Sequence, residues 1–205
     1  MSIKELQRIK ELNANALLNT YEIALPKDFT TDIPLQGRLW LYKGSISETT
    51  WKEYGLGYSK ALERVILPVY RSGKDGPLLW YQCRAILEGQ QPKYIQPSAS
   101  RDTVLFKSRT HGTHNRCVIT EDILSAIRVG KHTQAYSLLG TKITTSQANY
   151  LSKYDEVITW LDPDKAGVTG AYNIRKALQL ITNVRNIVTD VDPKNLSDEQ
   201  IKEQL

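Results

Sequence analysis

Ile3, Leu6, Ile9 and Leu12 recur at helical spacing and run into Ala16-Leu17-Leu18, which predicts an amphipathic helix over residues 3–19. Its apolar face can pack on the protein body or dock a partner. Pro26 and Pro34 punctuate a loop-like stretch. Ser47 can cap a short helix running to Tyr54, which Gly55 and Gly57 stop. Two β-branched and aromatic runs, Arg64–Tyr70 and Leu78–Ile86, flank Ser72-Gly73-Lys74-Asp75-Gly76 and predict a hairpin.

From about residue 112 the rhythm changes. Cys117–Thr120, Ala135–Leu139, Val157–Leu161 and Val184–Val188 read as short buried strands. Helical segments follow them at about 122–130, 145–153, 169–182 and 197–204. Four βα units in succession predict an α/β fold with a parallel sheet flanked by helices. The boundary falls at the polar linker His111-Gly112-Thr113-His114-Asn115. The expected division is an N-terminal helix and linker over 1–45, a smaller basic α+β subdomain over 46–111, and the α/β domain with its C-terminal helix over 112–205.

At 205 residues, 40% of them hydrophobic, the chain can bury a real core. Its longest apolar runs, such as Val65-Ile66-Leu67 and Val157-Ile158-Thr159-Trp160-Leu161, are too short to span a membrane, and no membrane partner is expected. The charged opening Met1-Ser2-Ile3-Lys4-Glu5 has no apolar signal core. Two cysteines, Cys83 and Cys117, exclude a disulfide framework and a cysteine-based zinc site, and they suit a reducing cytoplasm. Residues 1–110 carry 16 Lys/Arg against 11 Asp/Glu, while residues 111–205 carry 11 of each. The excess positive charge in the first half suits either a plain solvated surface or a field for nucleic acid and nucleotides.

The acidic residues of the second half are not scattered. In open α/β sheets ligands bind at the carboxyl ends of the strands. Glu121 follows the first strand, Asp162 and Asp164 follow the third, and Asp190 and Asp192 follow the fourth. Three strand ends thus deliver carboxylates to one edge. Oxygen ligands without His or Cys suit Mg²⁺ or Mn²⁺, hard ions that keep waters and bind substrate phosphates. A single Asp-Pro-Asp could be only a turn with a helix cap; agreement of three strand ends favours a metal site. Gly167 lets the next helix start close to the strand ends.

Val118-Ile119-Thr120-Glu121, Ser137-Leu138-Leu139-Gly140-Thr141 and Asp162-Pro163-Asp164-Lys165-Ala166-Gly167 resemble the three signatures of a Toprim domain. That metal-binding α/β domain is shared by bacterial-type primases, topoisomerases and some nucleases. Ahead of it, Gly55-Leu56-Gly57-Tyr58, Arg64-Val65-Ile66-Leu67-Pro68-Val69, Gln82-Cys83-Arg84-Ala85, Pro92-Lys93-Tyr94 and Leu105-Phe106-Lys107-Ser108 resemble, in order, the basic subdomain of bacterial and bacteriophage primases. The resemblance spans roughly residues 50–193. It implies a DNA primase core that makes short RNA primers on single-stranded DNA from ribonucleoside triphosphates. It also implies a helicase, a polymerase or other replication proteins as partners. In this reading Asp162 and Asp164 are the main Mg²⁺ or Mn²⁺ ligands, with Asp192 beside them. Glu121 is either metal-linked or a proton acceptor, and Arg64, Arg84, Lys93 and Lys107 bind template or nucleotide. Trp80, Tyr81 and Tyr94 lie among these charges, where they can stack bases or pack a core.

The chain departs from the family pattern at two acidic positions. Ser125 stands four residues after the glutamate where primases usually carry an aspartate, and Lys194 stands where the late acidic pair has its second member. Asp190 is the candidate substitute for the latter. Asp122 adjoins Glu121 but is expected to point elsewhere on its helix. The cysteine count leaves out the zinc-binding module that normally precedes this region. No GxxxxGK[ST] phosphate loop announces a helicase. A compact phage-type core, working in a bacterial host cytoplasm, fits this pattern. Two alternatives use the same residues: a catalytically weak or inactive accessory protein that binds DNA or a replication or transcription partner, and a Toprim nuclease.

Overall fold

The run of β-branched and aromatic residues over Arg64–Tyr70 cannot close a helical face, and it pairs instead with Leu78–Ala85 as the expected hairpin. In the computed structural model, which describes residues 23–71, 73–109 and 115–205, this hairpin centres a five-stranded antiparallel sheet. The elements in chain order are β1 (Phe29–Thr30), α1 (Leu35–Lys43), α2 (Glu48–Glu53), β2 (Gly57–Ser59), β3 (Arg64–Tyr70), β4 (Leu78–Ala85) and β5 (Tyr94–Ile95). The strands lie in the order β1-β2-β3-β4-β5. Ser47 caps α2 by accepting the Thr50 N–H at 3.3 Å, and Gly55, at a φ of 65°, ends it. Gly57 lets β1 close on β2, since a Cβ there would sit 2.3 Å from the Phe29 ring.

The second sheet holds β6 (Phe106–Lys107), β7 (Arg116–Thr120), β8 (Gln134–Ser137), β9 (Glu156–Thr159) and β10 (Asn183–Asn186), in the order β10-β9-β7-β8-β6. The first four of these are parallel and β6 is an antiparallel edge. Between the strands run α3 (Ile123–Gly130), α4 (Thr145–Leu151) and α5 (Lys165–Leu178); a short turn at Pro193–Asn195 and α6 (Asp198–Gln204) follow. All four βα units are present. α5 begins four residues earlier than the sequence pattern places it, because Asp164 caps it. β6 joins the second sheet although it precedes the boundary drawn at residue 112.

The pleat sorts the second sheet into two faces. Val118, Ala135, Ile158 and Trp160 pack with α3 in one apolar cluster, which also holds Val65, Leu67, Val69 and Trp80 of the first sheet. Ile119, Tyr136 and Val157 face α4 and α5. The α3 face is therefore turned toward the N-terminal half, and the α4–α5 face is outward. Strand order reverses at β7, the position where a parallel sheet opens a crevice at its carboxyl ends. α1, not foreseen in the sequence, carries apolar residues on several sides; Leu41 is buried while Leu35, Leu39 and Tyr42 are exposed. The predicted helix over 3–19 lies outside the described residues, as do residues 111–114 of the linker.

No helix among the described residues is long and apolar enough to cross a membrane.

Candidate metal centre

Glu121 leaves the end of β7, and the turn after β8 braces it. The Glu121 carbonyl accepts Ser137 Oγ at 2.8 Å and the Gly140 N–H at 2.9 Å. To make that turn, Leu139 adopts a φ of 59°. Its N–H donates to Ser137 Oγ at 3.0 Å, and its carbonyl accepts Arg101 Nη1 at 2.7 Å. The Ser137-Leu138-Leu139-Gly140-Thr141 signature thus acts as a clamp on the glutamate backbone.

Asp162 and Asp164 follow β9, and the two aspartates divide the work. Asp164 caps α5, accepting the Gly167 N–H at 2.7 Å. Asp162 turns inward: its Oδ1 is buried without a hydrogen-bond partner, as is Glu121 Oε2. Burial, followed by the charges of Asp162, Asp164 and Asp122, pushes the Glu121 carboxyl up to about 7. Burial likewise raises Asp162 to about 6, with Lys194 pulling the other way and Asp122, Asp192 and Asp164 adding to the rise. Two half-buried carboxylates, each with a buried oxygen that has no partner, stand close enough for the charge of one to act on the other.

Asp122, set aside in the sequence reading, is part of this edge. It caps α3, with Oδ1 accepting the N–H groups of Leu124 and Ser125 at 2.9 and 3.1 Å. Its Oδ2 accepts Ser125 Oγ at 2.8 Å and Lys194 Nζ at 3.0 Å. Lys194 Nζ also donates to Asp192 Oδ2. The two departures from the family pattern therefore meet on one carboxylate, which no spacing rule could show across 72 residues. Asp192 comes to the edge but is paired with Lys194, and Asp190 is exposed.

Opposite stand residues of the first sheet. The Arg84 guanidinium lies 4.9 Å from the Tyr94 ring centre and 5.7 Å from that of Trp40, and its Nε and Nη1 are buried without partners. Burial raises the Tyr94 hydroxyl, which also feels Arg84, Asp122, Lys194 and Glu121. Lys93 acts on Glu121 in turn, lowering it against the larger upward influences. The structure thus brings Arg84 and Lys93 to the acidic edge. It places the other two basic residues elsewhere. Val65 pairs with Arg84 and Arg64 with Ala85, so the two arginines leave opposite faces of the hairpin. Arg64 is buried, and its Nη2 donates to the Gln91 carbonyl at 3.1 Å, steadying the loop that carries Lys93. Lys107 pairs with Tyr136, on the outward α4–α5 face, where its charge acts on Tyr150. Trp80 is core.

The donor set suits a hard cation. Asp162 Oδ1 and Glu121 Oε2 are unsatisfied oxygens, and among the described residues both cysteines are buried in the cores while His132 lies against Asp198. Among the described residues no three acidic, histidine or cysteine side chains converge closely enough to enclose an ion by themselves. An ion held here by two carboxylates would complete its shell with water and substrate phosphates, as Mg²⁺ and Mn²⁺ do.

Residues 119–198 match the Toprim-like family model. The chain is 24% identical to the DNA primase of Rickettsia prowazekii over an alignment that covers 91% of this chain and 39% of that protein. It therefore spans about two-fifths of the length of that curated relative. Among solved structures, it is similar to the RNA polymerase domain of Mycobacterium tuberculosis primase, with a TM-score of 0.67 and 16% identity over 97% of this chain and 82% of that one. It is also similar to the primase fragment of the bacteriophage T7 primase-helicase, with a TM-score of 0.62 and 16% identity over 93% and 84%.

Proposed function

We propose that this chain, a Toprim domain set in the fold of primase catalytic cores, makes short RNA primers on single-stranded DNA by metal-dependent nucleotidyl transfer. The observation that carries the reading is the apposition of Glu121 and Asp162, with their unsatisfied oxygens, to Arg84 and Lys93 across the crevice. Phosphoryl transfer needs this pairing: carboxylates for metal ions on one side, and cations for a triphosphate and a template strand on the other.

Asp162 and Asp164 would hold Mg²⁺ or Mn²⁺, which when bound would supply charge neutralisation for the triphosphate. Arg84 and Lys93 take the phosphate oxygens, and the planar Arg84 guanidinium does so with donors that have no protein partner. The 3′ hydroxyl of the growing strand attacks the α-phosphorus of the incoming ribonucleotide. The new P–O bond forms as the α–β bridge breaks, and pyrophosphate leaves. Glu121, whose Oε2 has no protein partner, would accept the hydroxyl proton. Arg64 acts at one remove, by holding the Gln91 carbonyl in the loop before Lys93. The T7 relative is a primase-helicase, and a helicase is the partner we assign to this core.

Primer synthesis on circular single-stranded DNA, with Mg²⁺ or Mn²⁺ and labelled ribonucleotides, tests the reading. Short RNA from the wild type, absent from an Asp162→Ala/Asp164→Ala double variant, is the expected result. Absence of product from pure, folded protein, alone and with a replicative helicase added, would overturn it. Shortening of nucleic acid without nucleotides would identify a nuclease instead.

A further inference from the structure

Lys194 sits within the acidic edge with only 22% of its side chain exposed, bonded to Asp122 Oδ2 at 3.0 Å and to Asp192. We propose that Lys194 is a built-in cation filling the second cation position of this edge, so that the protein takes up one exchangeable divalent ion where the edge could otherwise take a pair.

The geometry divides the acidic oxygens into two sets. Asp122 has none to spare: Oδ1 receives two backbone N–H groups, and Oδ2 receives Ser125 Oγ and Lys194 Nζ. Asp192 Oδ2 accepts from the same ammonium. Asp162 Oδ1 and Glu121 Oε2, by contrast, are buried and unsatisfied. Lys194 reaches Asp162 through its field without bonding to it. A divalent ion entering between Asp122 and Asp192 would have to expel a largely buried ammonium and leave that charge without a partner, which is the costly way to break a buried pair. An ion beside Asp162 and Asp164 displaces nothing. In two-metal phosphoryl-transfer sites the ions stand about 4 Å apart and clamp attacking and leaving oxygens. Here a fixed ammonium would hold one side of that clamp and an exchangeable ion the other. Ser125 belongs to the same device, since its hydroxyl orients the carboxylate that Lys194 grips.

The inference rests on the reading of this edge as a metal site, and counting ions separates the two. Mn²⁺ bound per chain is measured by equilibrium titration with electron paramagnetic resonance, on the wild type, Asp162→Ala/Asp164→Ala, Lys194→Asp and Lys194→Met. Thermal melting confirms that each variant is folded. One ion is expected in the wild type and none in the double variant. Two are expected in Lys194→Asp, with dipolar broadening between them, and a second, weaker ion in Lys194→Met, which decides the matter if the aspartate variant does not fold. Two ions in the wild type, or one ion in both folded Lys194 variants, would overturn the built-in cation and leave the primase reading standing. No ion in the wild type would remove the metal site itself, and both readings with it.

Discussion

A Cβ on Gly167 would fall 2.0 Å from the carbonyl oxygen of Asp162. The first turn of α5 is therefore pressed against the backbone of the residue whose carboxylate faces the crevice, and only glycine permits that approach. Gly167→Ala should force Asp162 and Asp164 apart. The expected cost is about 1–3 kcal/mol of folding stability, read from urea unfolding midpoints, together with weaker Mn²⁺ binding. An unchanged midpoint would mean that the α5 start is free to slide.

Asp164 has two duties that an amide can separate. Asparagine caps helices about as well as aspartate, so Asp164→Asn should keep the bond to the Gly167 N–H and the melting temperature. Primer synthesis should nevertheless fall about 100-fold or more, the scale of losing a group that acts on developing charge. Asp164→Ala should lose both, adding about 1 kcal/mol of destabilisation for the missing cap. Equal activity in the two variants and the wild type would leave Asp164 as a cap only.

The raised carboxyls give the metal-free protein a distinctive pH response. Glu121 moves from an ordinary 4.5 to about 7, and Asp162 from 3.8 to about 6. The folded state holds these protons more tightly than the unfolded chain. Their contribution to stability is complete below the unfolded values and is lost as pH rises through the folded ones. Glu121→Gln should therefore flatten the fall in stability between pH 4.5 and 7 relative to wild type. Added Mg²⁺ should raise the melting temperature more at about pH 8 than at about pH 5.5, because the ion replaces the protons. Identical pH profiles for wild type and variant would show that Glu121 is not held in this environment.

Arg84 presents buried donors without partners between two aromatic rings. Arg84→Lys keeps the charge and loses the planar fork, so ribonucleotide KM should rise at least about tenfold while the fold is retained. Arg84→Ala should in addition lower the slope of log affinity against log salt for single-stranded DNA by about one unit, if a phosphate is its target. Lys107→Ala, on the outward face, should change neither. A salt slope altered by Lys107 and not by Arg84 would place the strand on the α4–α5 face.

Much of this arrangement is legible in the chain. β-branched and aromatic content around a Gly-rich loop marks the hairpin, and short apolar runs followed by helical segments mark the four βα units, because each of these signals is local in the chain. The carboxylates after the strands of the second half could be assigned to one edge because parallel strands all end on the same side. α1 was not legible, since apolar residues on several of its sides blur the helical period.

Pairings that depend on register and on distant contacts could not be read in this way. The basic residues form a single series in order along the chain, yet pleat direction separates Arg64 from Arg84 and sends Lys107 to the far face. Ser125 and Lys194 look in sequence like two independent losses of an acid. Folding brings them to the same carboxylate, Asp122, because α3 starts beside the turn that follows β10. Local periodicity specifies which elements form and at which ends their charged residues emerge. Which charges then neutralise one another is a matter of a few ångströms between segments far apart in the chain, and that is settled only when the two cores close.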